Sequence, residues 1–370
     1  TSAAPHAHSS EEIKKHVNIP VATVARINEP WMAEELIANG KCDMCMIGRP
    51  NLCDSEFANK AFEGKVDDIR PCIGCGRCLT GIMMGKRIGC TVNPSVEDDT
   101  IAPAETKKKV LVIGGGPAGM EAAYVAKKRG HEVVLCEKSN ELGGQLRLAA
   151  VPIAKQELCK VIKFMIRRLD HEGIEIRLNT EVTKERLENE FKDYEIVCSS
   201  GATPKEIPPF KVFKNWMTAD DVLSGKKYPG RNIVVLGGGS VGCETADYLA
   251  PLINDLFPMN RKITLLEMTN NLMPGEGGAA KSRLTQRLMQ KGVRIELNAQ
   301  VTNVDEESIT YVKEGVEHKI TEADTLIFAV GYAPKKVEVE AENVHYIGDC
   351  EKVGTLKDAI TNAHEIAKNI

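Results

Sequence analysis

The stretch Lys109–Gly119, KVLVIGGGPAG, decides the fold of this 370-residue chain. Its four apolar residues Val110 to Ile113 predict a buried parallel strand, and Gly114, Gly116 and Gly119 follow directly. The first glycine permits a tight turn, the second lets the backbone approach a pyrophosphate, and the third lets a helix pack on the strand. The start of that helix offers free N–H groups to phosphates. The stretch therefore predicts a dinucleotide-binding strand, turn and helix.

A second strand and an acidic residue strengthen this prediction. Residues 133–136 predict a strand that ends at Glu137, where a carboxylate would bind a ribose 2′-hydroxyl. The Gly143-Gly144-Gln145 turn that follows can bring backbone amides close to a flat or charged ligand. A glycine turn with a purely structural role is the alternative.

The same fingerprint occurs a second time. Residues 233–236 predict a strand, Gly237 to Gly242 form the turn, and Glu267 ends the next strand. Because Glu267 would repel a 2′-phosphate and no Arg or Lys follows it before Lys281, the sequence favours NADH over NADPH. A solvated strand end is the alternative for Glu267.

The C-terminal part returns to strands and ends in a helix. Residues 326–330 and 344–347 predict strands, the second followed by Gly348-Asp349, and residues 356–370 predict an amphipathic helix. Asp349 at a strand end suits a carboxylate that binds a ribityl hydroxyl, which after two fingerprints indicates FAD.

Four of the twelve cysteines lie between Cys72 and Cys90. Cys72, Cys75 and Cys78 share one tight loop, and Cys90 comes from farther along the chain. Structural zinc usually takes two separated pairs, whereas a tight triple is typical of iron–sulfur ligation. The pattern predicts a [4Fe–4S] cluster, with zinc or unligated thiols as alternatives. A separate C-x-x-C, Cys42 and Cys45, is interpreted as unpaired, because alternate residues of a strand face opposite ways.

The first 68 residues follow the strand–helix–strand–helix order of a parallel α/β sheet or barrel. Two such units cannot close a barrel, so we expect the end of one. The chain begins with Thr1 and not Met, which suggests a fragment or a processed product. Residues 95–106 predict a linker.

Composition narrows the class of protein. The net charge of −4 argues against nucleic acid or anionic lipid as the main partner. No apolar run approaches the ~20 residues that span a membrane, and no signal peptide is recognisable. Clustered cysteines indicate a metal site in a reducing compartment, so we expect a cytoplasmic protein.

Together these features resemble the three-cofactor branch of the Old Yellow Enzyme family, which includes 2,4-dienoyl-CoA reductase, 2-enoate reductase and trimethylamine dehydrogenase. The resemblance rests on an ordered set of stretches: IPVATVARINEP, MIGRPNLCDSEF, IRPCIGCGRC, CTVNPSV, VIGGGPAGMEAA, LGGQL and IGDC. It implies an α/β fold with the last two β/α units of an FMN-binding TIM barrel at 1–68 and a cluster loop and linker at 69–106. It further implies a Rossmann-like FAD domain at 107–228 and 326–370, with an NAD(P) domain inserted at 229–325.

The resemblance also assigns roles to individual residues. FMN phosphate contacts fall on Arg26, Gly48 and Arg49, and cluster ligands on Cys72, Cys75, Cys78 and Cys90. The predicted FAD and NADH residues are Gly114, Gly116, Pro117, Ala118, Glu137, Gly144, Gln145, Val182, Gly237, Gly239, Ser240, Val241, Gly242, Glu267, Gly331, Gly348 and Asp349. The first six barrel strands, which carry the family's substrate-protonating residues, are absent from this sequence, so no catalytic acid can be named.

Three functions follow as hypotheses. In the first, electrons pass from NADH to FAD, the cluster, FMN and an activated C=C of a small-molecule substrate. In the second, an amine dehydrogenase passes electrons to an electron-transfer flavoprotein, which the Cys72-x2-Cys75-x2-Cys78 spacing favours. In the third, the chain is a diaphorase-type electron-input module. A missing N-terminal barrel segment or a partner subunit would complete the site, and a homo-oligomer is possible.

Overall fold

The computed structural model describes residues 3–96, 100–251, 261–275, 278–337 and 343–370. Its helices are α1 Ala7–Lys14, α2 Pro30–Ala38, α3 Arg49–Cys53, α4 Phe57–Phe62, α5 Arg77–Met83, α6 Pro117–Lys128, α7 Gln145–Ala149, α8 Glu157–His171, α9 Lys184–Asn189, α10 Ala219–Leu223, α11 Ser240–Leu249, α12 Gly278–Gln290 and α13 Leu356–Ala367. Short 3₁₀ turns lie at Val66–Asp68, Pro208–Val212 and Gly348–Cys350.

The strands alternate with these helices along most of the chain. They are β1 Ala22–Val24, β2 Met44–Met46, β3 Lys109–Ile113, β4 Glu132–Cys136, β5 Glu175–Arg177, β6 Glu195–Cys198, β7 Ala202–Pro204, β8 Trp216–Thr218, β9 Asn232–Leu236, β10 Lys262–Leu266, β11 Arg294–Glu296, β12 Ala299–Val304, β13 Ile309–Lys313, β14 Val316–Ile320, β15 Thr325–Phe328, β16 Tyr332–Pro334 and β17 Val344–Tyr346. The predicted α/β fold is confirmed.

The chain forms two compact units, and the first contains residues 1–146, 157–200 and 336–370. Its main sheet has the parallel order β17-β6-β3-β4-β5. The last four residues of both β3 and β4 are buried, as expected for strands covered on both faces. Helix α6 packs against α13 and α8, and its small residues Ala122, Ala123 and Ala126 are buried there.

Three side chains tie these helices together in the buried interior. Glu121 on α6 accepts a hydrogen bond from Arg168 on α8 and pairs with His364 Nδ1 on α13 at 2.9 Å. Burial alone would raise the pKa of Glu121, but the Arg168 charge and the His364 hydrogen bond lower it to about 2. The Arg168 guanidinium also stacks on the ring of Tyr124 at 3.8 Å.

The N-terminal part of the first unit holds the parallel pair β1–β2, with Thr23 opposite Cys45. The strand–helix–strand order predicted for this part is confirmed. The expectation that Cys42 and Cys45 face apart is wrong, because their sulfurs lie 3.8 Å apart. Strand β2 begins only at Met44, so Cys42 lies in the preceding loop, where the alternation of a strand does not apply.

The second unit contains residues 147–156 and 201–335. Its parallel sheet has the order β11-β10-β9-β15-β8, beside the antiparallel three-stranded sheet β12-β13-β14 and the pair β16–β7. This unit reaches beyond the predicted inserted range 229–325 at both ends. The reason is that β15 pairs with both β9 and β8, which adds 216–218 and 326–328 to the second sheet.

Two further observations concern the whole described chain. All twelve cysteines have free thiols. Within the described residues, no helix has both the length and the apolar character needed to cross a membrane. Residues 97–99 of the predicted linker lie outside the described part.

Candidate functional site

The first glycine turn joins β3 to α6, and its three glycines have different roles. Gly114 has a φ of 102°, and a Cβ there would lie 2.5 Å from the carbonyl oxygen of Ser199. A Cβ on Gly119 would lie only 1.9 Å from the carbonyl oxygen of Gly114. A Cβ on Gly116 would meet no atom within 4 Å. Folding therefore requires Gly114 and Gly119, whereas Gly116 leaves a space open before the N-terminus of α6, and helix N-termini in proteins attract phosphate groups.

The second glycine turn joins β9 to α11 and repeats this pattern in the second unit. Gly237 has a φ of 109°, and a Cβ there would lie 2.5 Å from the carbonyl oxygen of Ala329. A Cβ on Gly242 would lie 1.9 Å from the carbonyl oxygen of Gly237, and one on Gly239 would meet no atom within 4 Å. Each turn thus leaves a cradle that a side chain would fill.

The two acidic residues predicted to bind ribose are buried and hydrogen-bonded to the turns. Glu137 Oε2 accepts the Gly115 amide at 2.6 Å, and Glu137 Oε1 accepts the Ser139 amide at 2.8 Å. Glu267 Oε2 accepts a hydrogen bond from the Gly238 amide at 2.6 Å, and Glu267 Oε1 accepts one from the Thr269 amide at 2.8 Å. Both carboxylates therefore hold the turns in place.

Sequence reasoning missed the residues that hold these carboxylates. Ser139 and Thr269 donate both an amide and a hydroxyl hydrogen bond to Glu137 and Glu267, respectively. The signal was present, because a hydroxyl residue follows each glutamate by two positions. Such residues favour local side-chain to backbone turns.

The remaining predicted FAD residues of the first unit surround the N-terminus of α6. A Cβ on Gly144 would lie 3.1 Å from Gly116 Cα, and one on Gly348 would lie 2.8 Å from the Cβ of Ala118. Asp349 follows Gly348, and its Oδ1 accepts the Gly354 amide at 3.0 Å. Burial raises the pKa of the Asp349 carboxyl. The structure thus brings the first turn, the Gly-Gly loop and the Gly-Asp turn together.

Other predicted residues lie at the edges of the two turns. Pro117 and Ser240 are the first residues of α6 and α11, and Gln145 is the first residue of α7. Val241 packs against the apolar core of the second unit, and Val182 is buried in an apolar cluster under the first sheet. In the second unit, Gly331 has a φ of 95°, and a Cβ there would meet no atom within 4 Å.

The four cysteines predicted as cluster ligands line one small cavity of the first unit, together with Arg49. Gly74 and Gly76 have φ values of 64° and 77°, which allow the loop to turn twice between the first three cysteines. Within the described residues, no three His, Cys, Asp or Glu groups stand close enough to hold a single metal ion. A cubane needs four cysteines around one cavity, and Cys72, Cys75, Cys78 and Cys90 line the same cavity.

Burial raises the pKa of Cys72 and of Cys78. The pKa of Cys90 is lowered to about 6, mainly by a hydrogen bond with the buried thiol of Cys53 at the end of α3. The surroundings of the cavity therefore act unequally on its cysteines, and they favour the thiolate form at Cys90.

The three residues predicted at the FMN phosphate lie near this loop. Arg26 forms an ion pair with Glu157 at 2.5 Å, and a Cβ on Gly74 would lie 3.6 Å from Arg26 Nε. Arg26 has a positive φ of 50°, a conformation that costs a non-glycine residue roughly 1–2 kcal/mol. Gly48 precedes α3, and Arg49 is the first residue of that helix.

The chain is similar to known proteins along nearly its whole length. A model of the pyridine nucleotide-disulphide oxidoreductase family matches residues 108–351. The chain is 34% identical to a cinnamate reductase of Clostridium sporogenes, across 98% of this chain and 55% of that protein. It is 35% identical to an NADH oxidase of Thermoanaerobacter brockii, across 98% of this chain and 57% of that protein.

A solved structure gives a similar result. The structure of a 2-naphthoyl-CoA reductase superposes on this chain with a TM-score of 0.91 and 27% sequence identity. The match covers 100% of this chain and 57% of the reductase chain. The chain thus spans little more than half the length of the relatives it matches.

Proposed function

Because the chain belongs to the 2-enoate reductase and Old Yellow Enzyme-like branch of three-cofactor enzymes and carries a pyridine nucleotide-disulphide oxidoreductase region, we propose that it is part of an NADH-dependent flavin oxidoreductase. The single observation that carries the proposal is the pair of open glycine cradles, each with a carboxylate bound to its turn. Two such cradles in one chain match the need for two dinucleotides, FAD and NADH.

The first unit is proposed to bind FAD. Gly116 leaves room for the pyrophosphate at the start of α6, Glu137 binds the adenosine ribose, and Asp349 binds the ribityl chain. The half-buried Asp349 carboxyl, held by the Gly354 amide, suits a hydroxyl donor in its vicinity.

The second unit is proposed to bind NADH. Gly239 leaves room for the pyrophosphate, and Glu267 accepts a hydrogen bond from the free 2′-hydroxyl. A 2′-phosphate would place a second negative charge beside this buried carboxylate, so NADPH is the poorer ligand. The predicted ranges remain a proposal, with the FAD domain at 107–228 and 326–370 and the NAD(P) domain at 229–325. The compact unit that contains the second turn is larger, at 147–156 and 201–335.

The cysteine loop is proposed to hold a [4Fe–4S] cluster. Cys72, Cys75, Cys78 and Cys90 would each bind one iron, and the positive φ of Gly74 and Gly76 lets the first three face the same cavity. When bound, FAD supplies two-electron and one-electron chemistry, and the cluster supplies one-electron transfer. The chain's own task is to hold these groups and the nicotinamide nucleotide.

The complete protein is proposed to reduce an activated C=C of a small molecule at an FMN held by a barrel. Arg26, Gly48 and Arg49 are the residues of this chain proposed to contact the FMN phosphate. The rest of the barrel would come from a longer chain or a partner subunit, and the exposed side chains of Val24, Met44 and Met46 on β1 and β2 would suit such a neighbour. A reducing, cytoplasmic setting is part of the proposal, supported by the free thiols.

A second candidate function is an amine dehydrogenase. The Cys72-x2-Cys75-x2-Cys78 spacing favours it, and the relatives include an N,N-dimethylglycine/sarcosine dehydrogenase of Chromohalobacter salexigens that is 28% identical over 78% of this chain. An amine dehydrogenase does not need a working NADH cradle, whereas this chain has an open cradle at Gly239.

Anaerobic rapid mixing tests the proposal. The protein is loaded with FAD, mixed with NADH, and the flavin absorbance is followed. We expect fast bleaching with NADH and much slower bleaching with NADPH. Bleaching of the flavin of the full-length enzyme by a secondary or tertiary amine but not by NADH would instead establish the amine dehydrogenase function, and no FAD retention would refute both.

A further inference from the structure

Helix α3 lies outside the cysteine loop and carries one side chain that lines the cysteine cavity and another that is buried behind it. Its first residue, Arg49, lines the cavity together with all four cysteines. Its last residue, Cys53, is completely buried and interacts with Cys90. Neither residue belongs to the C-x-x-C-x-x-C motif, so the motif gives no information about them.

Other contacts fix α3 against both arms of the cysteine loop. The Arg70 side chain donates a hydrogen bond from Nη1 to the Cys53 carbonyl at 3.4 Å, on the arm that leads into Cys72. The Asn93 amide donates to the Leu52 carbonyl at 3.4 Å, on the arm that follows Cys90. These two hydrogen bonds fix the position of α3 beside the cavity.

On this geometry, and resting on the proposed [4Fe–4S] site, we propose that α3 sets the reduction potential of the cluster through Arg49 and Cys53. An electron added to a cluster adds negative charge among four thiolates. The Arg49 guanidinium is a permanent positive charge beside them and stabilises the reduced form. Hydrogen bonds to cluster sulfurs act in the same direction, because a donor stabilises the sulfur that carries more negative charge.

The two residues act as positioning residues, since neither is one of the four ligands. Cys53 is suited to donate and not to ligate, because it is completely buried and does not line the cavity. Arg49 was assigned above to the FMN phosphate, and the two roles make different predictions. A phosphate contact affects FMN affinity, whereas a cavity contact affects the potential of the cluster in protein that contains no FMN.

The test is a redox titration of the anaerobically reconstituted full chain, followed by electron paramagnetic resonance of the reduced cluster. Arg49→Gln should disfavour reduction about tenfold, which for a one-electron couple is a shift of about 59 mV to lower potential. Arg49→Lys keeps the charge and should recover most of the shift. Cys53→Ala should shift the potential in the same direction, and Cys53→Ser, which keeps a donor, should shift it less.

Arg77→Gln is the matched control. Arg77 lies in the same loop, next to Cys78, but it does not line the cavity, and its charge acts on Asp358. The reduction potential of the cluster in Arg77→Gln should stay close to that in the unsubstituted chain. Equal shifts in Arg77→Gln and Arg49→Gln would mean that only overall charge matters and would overturn the inference.

Iron content separates the two levels of the argument. Full iron with an unchanged potential in both Arg49→Gln and Cys53→Ala would overturn the inference and leave the proposed function intact. No iron in the unsubstituted chain would overturn the proposed cluster itself.

Discussion

Replacing Gly239 with alanine separates binding from folding in the second glycine turn. Gly239 has a φ of −66°, which alanine adopts freely, and its Cβ would meet no atom within 4 Å. In the absence of nucleotide the variant should be as stable as the parent, or more stable by about 0.4–1 kcal/mol, because alanine reduces the freedom of the unfolded chain.

The same methyl group should weaken NADH binding. It occupies the open space before α11, so a pyrophosphate can no longer approach the backbone amides. Loss of one hydrogen bond to a charged group costs about 1.5–3 kcal/mol, which corresponds to a roughly tenfold to hundredfold higher Kd.

Nucleotide titration by fluorescence, urea unfolding and FAD content together test this reasoning. Gly116→Ala is the matched control in the first turn, and it should lose FAD while the apoprotein stays folded. Gly242→Ala should instead unfold the second unit, because its Cβ would lie 1.9 Å from the Gly237 carbonyl oxygen and overpacking of that severity costs about 3 kcal/mol or more. An unchanged Kd for NADH in Gly239→Ala would refute the proposed role of the cradle.

Three further predictions follow from the described contacts. Glu267→Gln keeps an oxygen for the turn amide but removes the charge, so NADH should bind about tenfold more weakly and the preference over NADPH should narrow in parallel titrations. Cys72→Ser should lower the iron content of anaerobically prepared protein, whereas Cys159→Ser, at an exposed thiol outside the loop, should not. Glu121→Gln leaves a buried arginine unpaired and should lower the free energy of unfolding by about 3 kcal/mol or more in urea. Because the folded pKa of Glu121 is about 2 and the ordinary value is 4.5, its contribution is complete above pH 4.5 and is lost as the pH falls towards 2. The urea midpoint of the parent should therefore fall more between pH 4.5 and 2 than that of Glu121→Gln. An equal change in both proteins would contradict this pairing.

Local steric rules explain why the two glycine turns could be predicted from the sequence. Gly114 and Gly237 need positive φ, and Gly119 and Gly242 need contact without a Cβ, so glycine spacing alone carries the information. The carboxylates were also predicted, because each glutamate directly follows the last residue of a largely apolar strand. Their bonds to the turn amides were missed, since these depend on how two strands lie beside each other.

Other features depend on contacts between distant parts of the chain, which spacing does not encode. The second unit gains β8 and β15 through pairing with β9. The Cys42–Cys45 contact depends on where β2 begins. The position of Arg49 beside the cysteine cavity depends on how α3 packs against the loop, so the sequence could assign it only by resemblance.

The carboxylates fixed on their own turns have a consequence for affinity. Glu137 and Glu267 are immobilised by three hydrogen bonds each before any nucleotide arrives. Immobilising a flexible side chain at a binding surface usually costs about 0.5–1.5 kcal/mol at the moment of association. Here that loss of rotational freedom occurs during folding, so a ribose at the proposed sites would meet a preorganised acceptor and would not lose affinity through this entropy.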